Sequence, residues 1–198
     1  GEATVTSSLT FTSANWDTAQ TVTVTGVDDD IIDGTINSTV TASIVDAASD
    51  DDFDGVADQT VSVSTTDDDV AGFTVAETEG STGVDESGTT DTITVVLNAQ
   101  PTSDVVLSIT SSDTGEATVT STLTFTSANW DTAQTVTVTG ADDDLIDGTI
   151  SSTTTISIND ASSDNNFDAV ADQTVSVTTV DDDVAGFTVA ETEGSTGV

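Results

Sequence analysis

Apolar residues alternate with Thr and Ser in short runs along the chain. Thr90–Leu97 places Ile93, Val95 and Leu97 on one face. Gln134–Thr139 does the same with Val136 and Val138, Ile150–Asn159 with Ile156 and Ile158, and Thr174–Thr179 with Val175 and Val177. A period of two marks a strand with one buried face. Further strands are predicted at Ala71–Ala76 (Phe73 and Val75 inward), Asp104–Thr110, Ala117–Thr120 and Leu123–Thr126 (Leu123 and Phe125 inward). Between them, Glu77–Gly83 reads as a Gly-rich turn or bulge. Asn98–Pro101 reads as a turn, because Pro101 cannot donate to a central ladder. Ser111–Gly115 is an acidic loop, Ser127–Asp131 a turn, and Ala161–Asp172 a long polar loop carrying Phe167. No stretch has a helical period. Short strands separated by turns about every 8 to 12 residues predict an all-β, antiparallel two-sheet sandwich.

The pattern is duplicated. Gly1–Val84 aligns without gaps on Gly115–Val198, an offset of 114 residues, and 71 of the 84 aligned positions are identical. A repeat of that length suits one sandwich domain rather than a solenoid coil. The natural unit spans 70–183. Residues 1–69 then form the C-terminal part of a preceding repeat, and 184–198 the first strand of a following one. The expectation is tandem Ig-like domains of about 114 residues, cut from a longer array whose native terminus is absent here.

Composition adds an unusual charge. The chain has no Lys, Arg or His and 37 acidic residues, for a formal charge of −37. Thirty of the acids are Asp, a turn residue, so the charge gathers between strands. High charge with modest hydrophobicity often means disorder, but the strand patterning argues for a fold. Nucleic acid is excluded as a partner, since no side chain can neutralise a phosphate. No apolar run reaches membrane-spanning length, and anionic membrane surfaces are disfavoured. Without Cys no disulfide forms. The Thr, Ser, Asp and Val enrichment fits large exported bacterial surface proteins.

Two acidic stretches stand out in each copy. Gly140-Ala-Asp142-Asp143-Asp144-Leu-Ile-Asp147-Gly148 follows a Thr-Val strand, and Asp181-Asp182-Asp183 follows the next. The other copy repeats them as Asp28-Asp29-Asp30 with Asp33, and Asp67-Asp68-Asp69. Such density without an internal cation calls for an external one. Calcium takes six to eight oxygen ligands, roughly, from carboxylates, carbonyls and water. Soft ligands for zinc, copper or iron are missing, with no Cys, His or Met. Each loop pair therefore reads as a calcium site against the plainer reading of a solvated charge run.

The same unit resembles the Calx-β domain family, and more closely the Calx-β-like or cadherin-like repeats of giant bacterial adhesins. Val75-Ala-Glu77-Thr-Glu79-Gly80 is similar to that family's Val-x-Glu-x-x-Gly opening. Leu123-Thr-Phe125, the Gln134–Val138 strand, Asp142-Asp143 with Asp147, and Asp181–Asp183 follow in the family's order. The usual Asp-Tyr after the third strand is replaced by Asp113-Thr-Gly. The resemblance implies calcium at one tip of the sandwich, at the link to the next domain. It implies Glu77, Asp113, Asp142, Asp143, Asp147, Asp181, Asp182 and Asp183 as ligands. In the preceding repeat it implies Asp28, Asp29, Asp33, Asp67, Asp68 and Asp69.

Other features have simpler readings. Asp50–Asp58 fits an EF-hand-like Asp-x-Asp-x-Asp-Gly loop, but Ala169 replaces Gly55 in the second copy, and a loop pinned by Phe53 or Phe167 explains both. Trp16 and Trp130 suit a plug at the sandwich end, or a sugar-stacking platform. The Thr-x-Thr arrays are outward strand residues, and the Asn37-Ser-Thr39 sequon has no counterpart at Ser151. No His, Cys, Lys, Arg or Tyr is present to act as base, nucleophile or anion clamp, so no enzyme is expected. The expected function is a structural calcium-binding module of a secreted or cell-surface adhesin or extracellular filament. Its partners would be neighbouring identical repeats. The alternative is a calcium-dependent module that binds glycan or protein.

Overall fold

The computed structural model describes residues 1–191 and Gly194. The chain divides into two compact units, Gly1–Val70 and Ala71–Val198. Each is all-β apart from short 3-10 turns.

Unit 1 contains β1 (Ala3–Val5), β2 (Val24–Gly26), β3 (Ile36–Ala42) and β4 (Gln59–Thr65). They form two separate antiparallel pairs, β1 with β2 and β3 with β4. Among the described residues each of these strands has one strand partner. Ser8–Phe11 forms no strand, although the matching residues in unit 2 do.

Unit 2 is a complete sandwich. Its strands are β5 (Phe73–Glu77), β6 (Thr82–Asp85), β7 (Thr90–Leu97), β8 (Val105–Ser111), β9 (Ala117–Val119), β10 (Thr122–Phe125), β11 (Gln134–Gly140), β12 (Ile150–Ile158) and β13 (Gln173–Val180). One sheet has the order β5-β7-β11-β9 and the other β10-β8-β12-β13-β6. The inward residues of both sheets form the core. Ile93, Val95 and Leu97 of β7 and Val136 and Val138 of β11 supply one side. Leu107, Phe125, Ile156 and Val177 supply the other. Phe167, in the loop between β12 and β13, is fully buried and plugs one end. Asp164 holds that loop in place. Its carboxylate accepts bonds from the amides of Thr102, Ser103 and Asn166 and from the Thr102 hydroxyl.

Strand bounds match the periodicity to within one or two residues, with one addition. Glu77–Gly83, read as a turn, contains the start of β6. This strand runs parallel to β13, with Val177 opposite Thr82 and Val180 opposite Asp85. Ser-Thr-Gly-Val-Asp has little strand propensity, and its pairing comes from β13, about a hundred residues away. Val184–Glu191 carries no strand, although the same sequence forms β5 earlier in the chain. β5 itself is held by its antiparallel pairing with β7, Phe73 opposite Leu97 and Glu77 opposite Ile93. The rest of the 184–198 segment, Gly194 apart, lies outside the described residues.

Candidate metal centre

The acidic loops of unit 2 meet at one end of the sandwich, around Glu86. β6 delivers this residue, and the turn after β6 fixes it. The Gly88 and Thr89 amides donate to the Asp85 carbonyl, and the Ser87 amide donates to the Asp85 carboxylate. Gly88 takes φ of 89°, which a side chain would oppose. The Glu86 amide donates to the Val180 carbonyl at the end of β13, 3.0 Å away. On the other side β11 ends at Gly140, whose own amide donates to Thr89. An added Cβ at Gly140 would lie 2.0 Å from the Asp85 carbonyl oxygen, so only glycine allows this approach.

Glu116 is anchored as firmly. Its carbonyl accepts from the Ala141 amide at 2.8 Å and the Thr179 hydroxyl at 3.4 Å. Its side chain then turns inward beside Glu86. Asp181, just past β13, clasps the other acidic loop. It accepts from the amides of Gly148 at 2.8 Å and Asp183 at 2.7 Å. Glu86, Glu116 and Asp147 bring carboxylate oxygens within 4.8 Å of one another, and so do Glu86, Asp181 and Asp183. Glu86 belongs to both groups.

The electrostatics follow from burial. Glu86 is 1% exposed, and neither carboxylate oxygen has a hydrogen-bond partner. One oxygen each of Glu116 and Asp183 is also buried without a partner. Burial pushes the Glu86 carboxyl up to about 7, reinforced by the carboxylates of Asp147, Asp181, Asp143 and Glu116. Glu116 is raised by burial and then by Asp147 and Asp113, and Asp183 by burial and then by Asp181. Asp181 moves the other way, because the Gly148 and Asp183 amides stabilise its charge. A buried unpaired carboxylate is costly unless it protonates or meets a cation. No Lys, Arg or His exists in the chain to serve. An all-oxygen donor set with orphaned lone pairs suits a hard divalent cation.

The sequence-derived ligands of unit 2 fall into four sets. Asp147, Asp181 and Asp183 join the two carboxylate groups. Asp143 and Asp113 bind their own loops, Asp143 accepting from Leu145 and Asp113 from Gly115. Asp142 and Asp182 are exposed. Glu77 accepts from the Thr82 hydroxyl at 2.9 Å and belongs to neither group. Glu86 and Glu116 were not among the sequence candidates. One signal was available: they are two of only seven Glu in a chain whose loops otherwise use Asp. The longer side chain reaches inward from a strand end where Asp would not.

Unit 1 repeats the loop clasp. Asp67 accepts from Asp33, Gly34 and Asp69 amides at 3.0, 2.7 and 2.8 Å, and Asp29 accepts from Ile31. Those bonds lower the Asp67 pKa, led by the Asp69 amide, while burial raises Asp69. Glu2 takes the place of Glu116, accepting from Val27 and from the Thr65 hydroxyl. Glu2, Asp28, Asp29, Asp33, Asp67 and Asp69 line one concavity, with Asp68 beside them.

No protein-family model matches the chain, and no curated protein matches it. Solved structures do. Domains 4 and 5 of the S-layer protein SbsC are 24% identical, with a TM-score of 0.38, covering 62% of this chain and 59% of that one. Domains 1–6 of the same surface-layer protein are 25% identical, with a TM-score of 0.42, covering 69% of this chain and 16% of that one. The apo form of the Calx CBD1 domain is 15% identical, with a TM-score of 0.40, covering 56% of this chain and 98% of that one. No helix among the described residues is long and apolar enough to cross a membrane.

Proposed function

We propose that the chain is a non-catalytic structural repeat of an extracellular or cell-surface protein, and that calcium completes its sandwich domains. One observation carries the reading. Glu86 is buried with both oxygens unpaired, amid Glu116, Asp147, Asp181 and Asp183, in a chain without basic side chains. Bound calcium would neutralise this end of unit 2 and tie β6 and β13 to the loop after β11. The cluster lies at the end of β13, where the chain leaves the domain, so the same ion would stiffen the link to the next repeat. The partners would be neighbouring identical repeats in a filament or adhesin stalk.

Calcium titration calorimetry on the intact chain tests the metal. E86Q keeps the shape and removes the shared charge. It should weaken the tightest binding at least tenfold, whereas E77Q should not change it. Heat-induced unfolding of unit 2 should rise by tens of degrees in calcium relative to chelator. An unchanged melting curve in chelator would sink the structural role. Small-angle scattering tests the joint, with a more extended chain expected in calcium.

A further inference from the structure

Three Asp-Gly pairs occur in the chain, Asp33-Gly34, Asp54-Gly55 and Asp147-Gly148. In such a pair the glycine amide can attack the aspartyl side chain, since glycine has no Cβ to hinder the rotation that brings the two together. All three pairs face solvent. Their amides differ. The Gly34 amide donates to the Asp67 carboxylate at 2.7 Å, and the Gly148 amide donates to the Asp181 carboxylate at 2.8 Å. Among the described residues the Gly55 amide has no hydrogen-bond acceptor, and the Asp54 carboxylate has no donor.

Asp54-Gly55 lies in the loop between β3 and β4, within the Asp50–Asp58 stretch whose spacing fits a cation loop. Asp50 caps the turn instead, its carboxylate accepting from the Asp52 amide at 3.1 Å. The Phe53, Asp54 and Val56 amides close the turn by donating to the Asp50, Asp51 and Phe53 carbonyls. The Gly55 amide is the one left over. Unit 2 shows the same turn around a fully buried Phe167. There Asp168 and Ala169 remain exposed, and the Ala169 amide again has no acceptor among the described residues. The free amide therefore belongs to the turn itself.

We infer that Asp54-Gly55 is the site of spontaneous aspartate isomerisation in this chain, and that the carboxylates of Asp67 and Asp181 spare the other two pairs. The Gly55 nitrogen bonds to the side-chain carboxyl carbon of Asp54. Its proton and the carboxyl hydroxyl leave as water, and a cyclic imide results. Water then adds back. Attack at the side-chain carbonyl restores aspartate, and attack at the main-chain carbonyl leaves isoaspartate, with the chain running through the side-chain carbons. Water released in the first step is matched by water taken up in the second, and no oxidant or reductant enters. The product adds one main-chain atom beside Phe53. At Gly34 and Gly148 the nitrogen must first leave a carboxylate, which slows attack roughly ten- to a hundredfold. No bound metal is needed, since the bonds hold the amides themselves.

The test ages the intact chain in calcium at neutral pH, folded and in urea. Cleavage by an endoproteinase that cuts before aspartate but not before isoaspartate, followed by mass spectrometry, maps the product. Ageing in oxygen-18 water marks each opened imide with one heavy oxygen. In the folded chain isoaspartate should form at Asp54 roughly tenfold faster, or more, than at Asp33 or Asp147, and in urea the three rates should converge. Equal rates in the folded chain, or product at Asp54 only in urea, overturn the site. An added Cβ at Gly55 meets nothing within 4 Å, and the second copy carries Ala169 there, so G55A keeps the turn. G55A should slow the reaction at Asp54 severalfold and leave the other two pairs unchanged. An unchanged rate at Asp54 overturns the assignment. Amide hydrogen exchange reads the protecting bonds directly: Gly34 and Gly148 should exchange roughly tenfold slower, or more, than Gly55. Sparing of Asp33 and Asp147 without that slower exchange overturns the role of Asp67 and Asp181 and leaves Asp54 as the site.

Discussion

Phe125 and Phe11 sit in the same local sequence, Leu-Thr-Phe-Thr-Ser-Ala-Asn-Trp. Phe125 is 0% exposed on β10, while Phe11 is 54% exposed on no strand. Truncating each to Ala therefore separates local propensity from tertiary burial. A buried Phe removes roughly 150–200 Å² from water, worth about 4–5 kcal/mol at ~25 cal/mol per Å² as an upper bound. Measured core truncations of this kind cost about 3–5 kcal/mol, including the cavity left behind. Phe125→Ala should lose about that much stability in unit 2. For a domain of this size, roughly 4 °C per kcal/mol gives a fall of about 12–20 °C in its melting temperature. Phe11→Ala leaves no closed cavity and removes a side chain already half in water, so about 1 kcal/mol or less is expected. Differential scanning calorimetry in excess calcium, with urea unfolding as a second measure, reads both variants. Equal losses from the two substitutions would refute the placement of Phe125 in the core of unit 2 and of Phe11 at an exposed position.

Three further outcomes follow from the same pairing and from the buried acids. Gly140→Ala places a Cβ against the Asp85 carbonyl and should cost more than about 2 kcal/mol by urea unfolding, whereas Gly26→Ala meets only the Thr65 methyl at 3.8 Å and should be nearly neutral. Without calcium, the raised Glu86 pKa makes folded unit 2 hold a proton that the unfolded chain releases. Its contribution is present below about pH 4.5 and is lost as pH rises toward 7, so the calcium-free melting temperature should fall across that window, and E86Q should flatten the fall. A calcium-free melting temperature that rises from pH 5 to 7 would contradict the burial. Asp164 is pushed up by burial but held lower overall by its bonds to Thr102, Ser103 and Asn166, so its contribution is present above its ordinary value and lost as pH falls below it. Asp164→Asn should cost about 2 kcal/mol, against less than about 0.5 for exposed Asp50→Asn, by the same unfolding measurement.

Much of the architecture was legible in the alternation of residues. β7, β11, β12 and β13 follow from Val and Ile recurring every second position, because each strand buries one face. The loop clasp was legible too, in the spacing of Asp147 to Asp181 and its repeat from Asp33 to Asp67. β6 was not, since Thr-Gly-Val-Asp pairs only because β13 lies beside it in parallel. Glu86 was hidden for the same reason. Its neighbours in sequence are a turn, and its neighbours in space come from the turn before β9, the loop after β11 and the stretch just past β13.

By itself, the sequence determined the strand periodicity, the 114-residue repeat and the excess of acid that demands a counter-ion. Only the tertiary structure decided which copy of a repeated stretch is buried and which carboxylates share one site. Phe11 and Phe125 have the same neighbours along the chain, and the strands that cover one of them come from elsewhere. Burial and pairing are properties of what lies across the sheet, where local sequence has no reach.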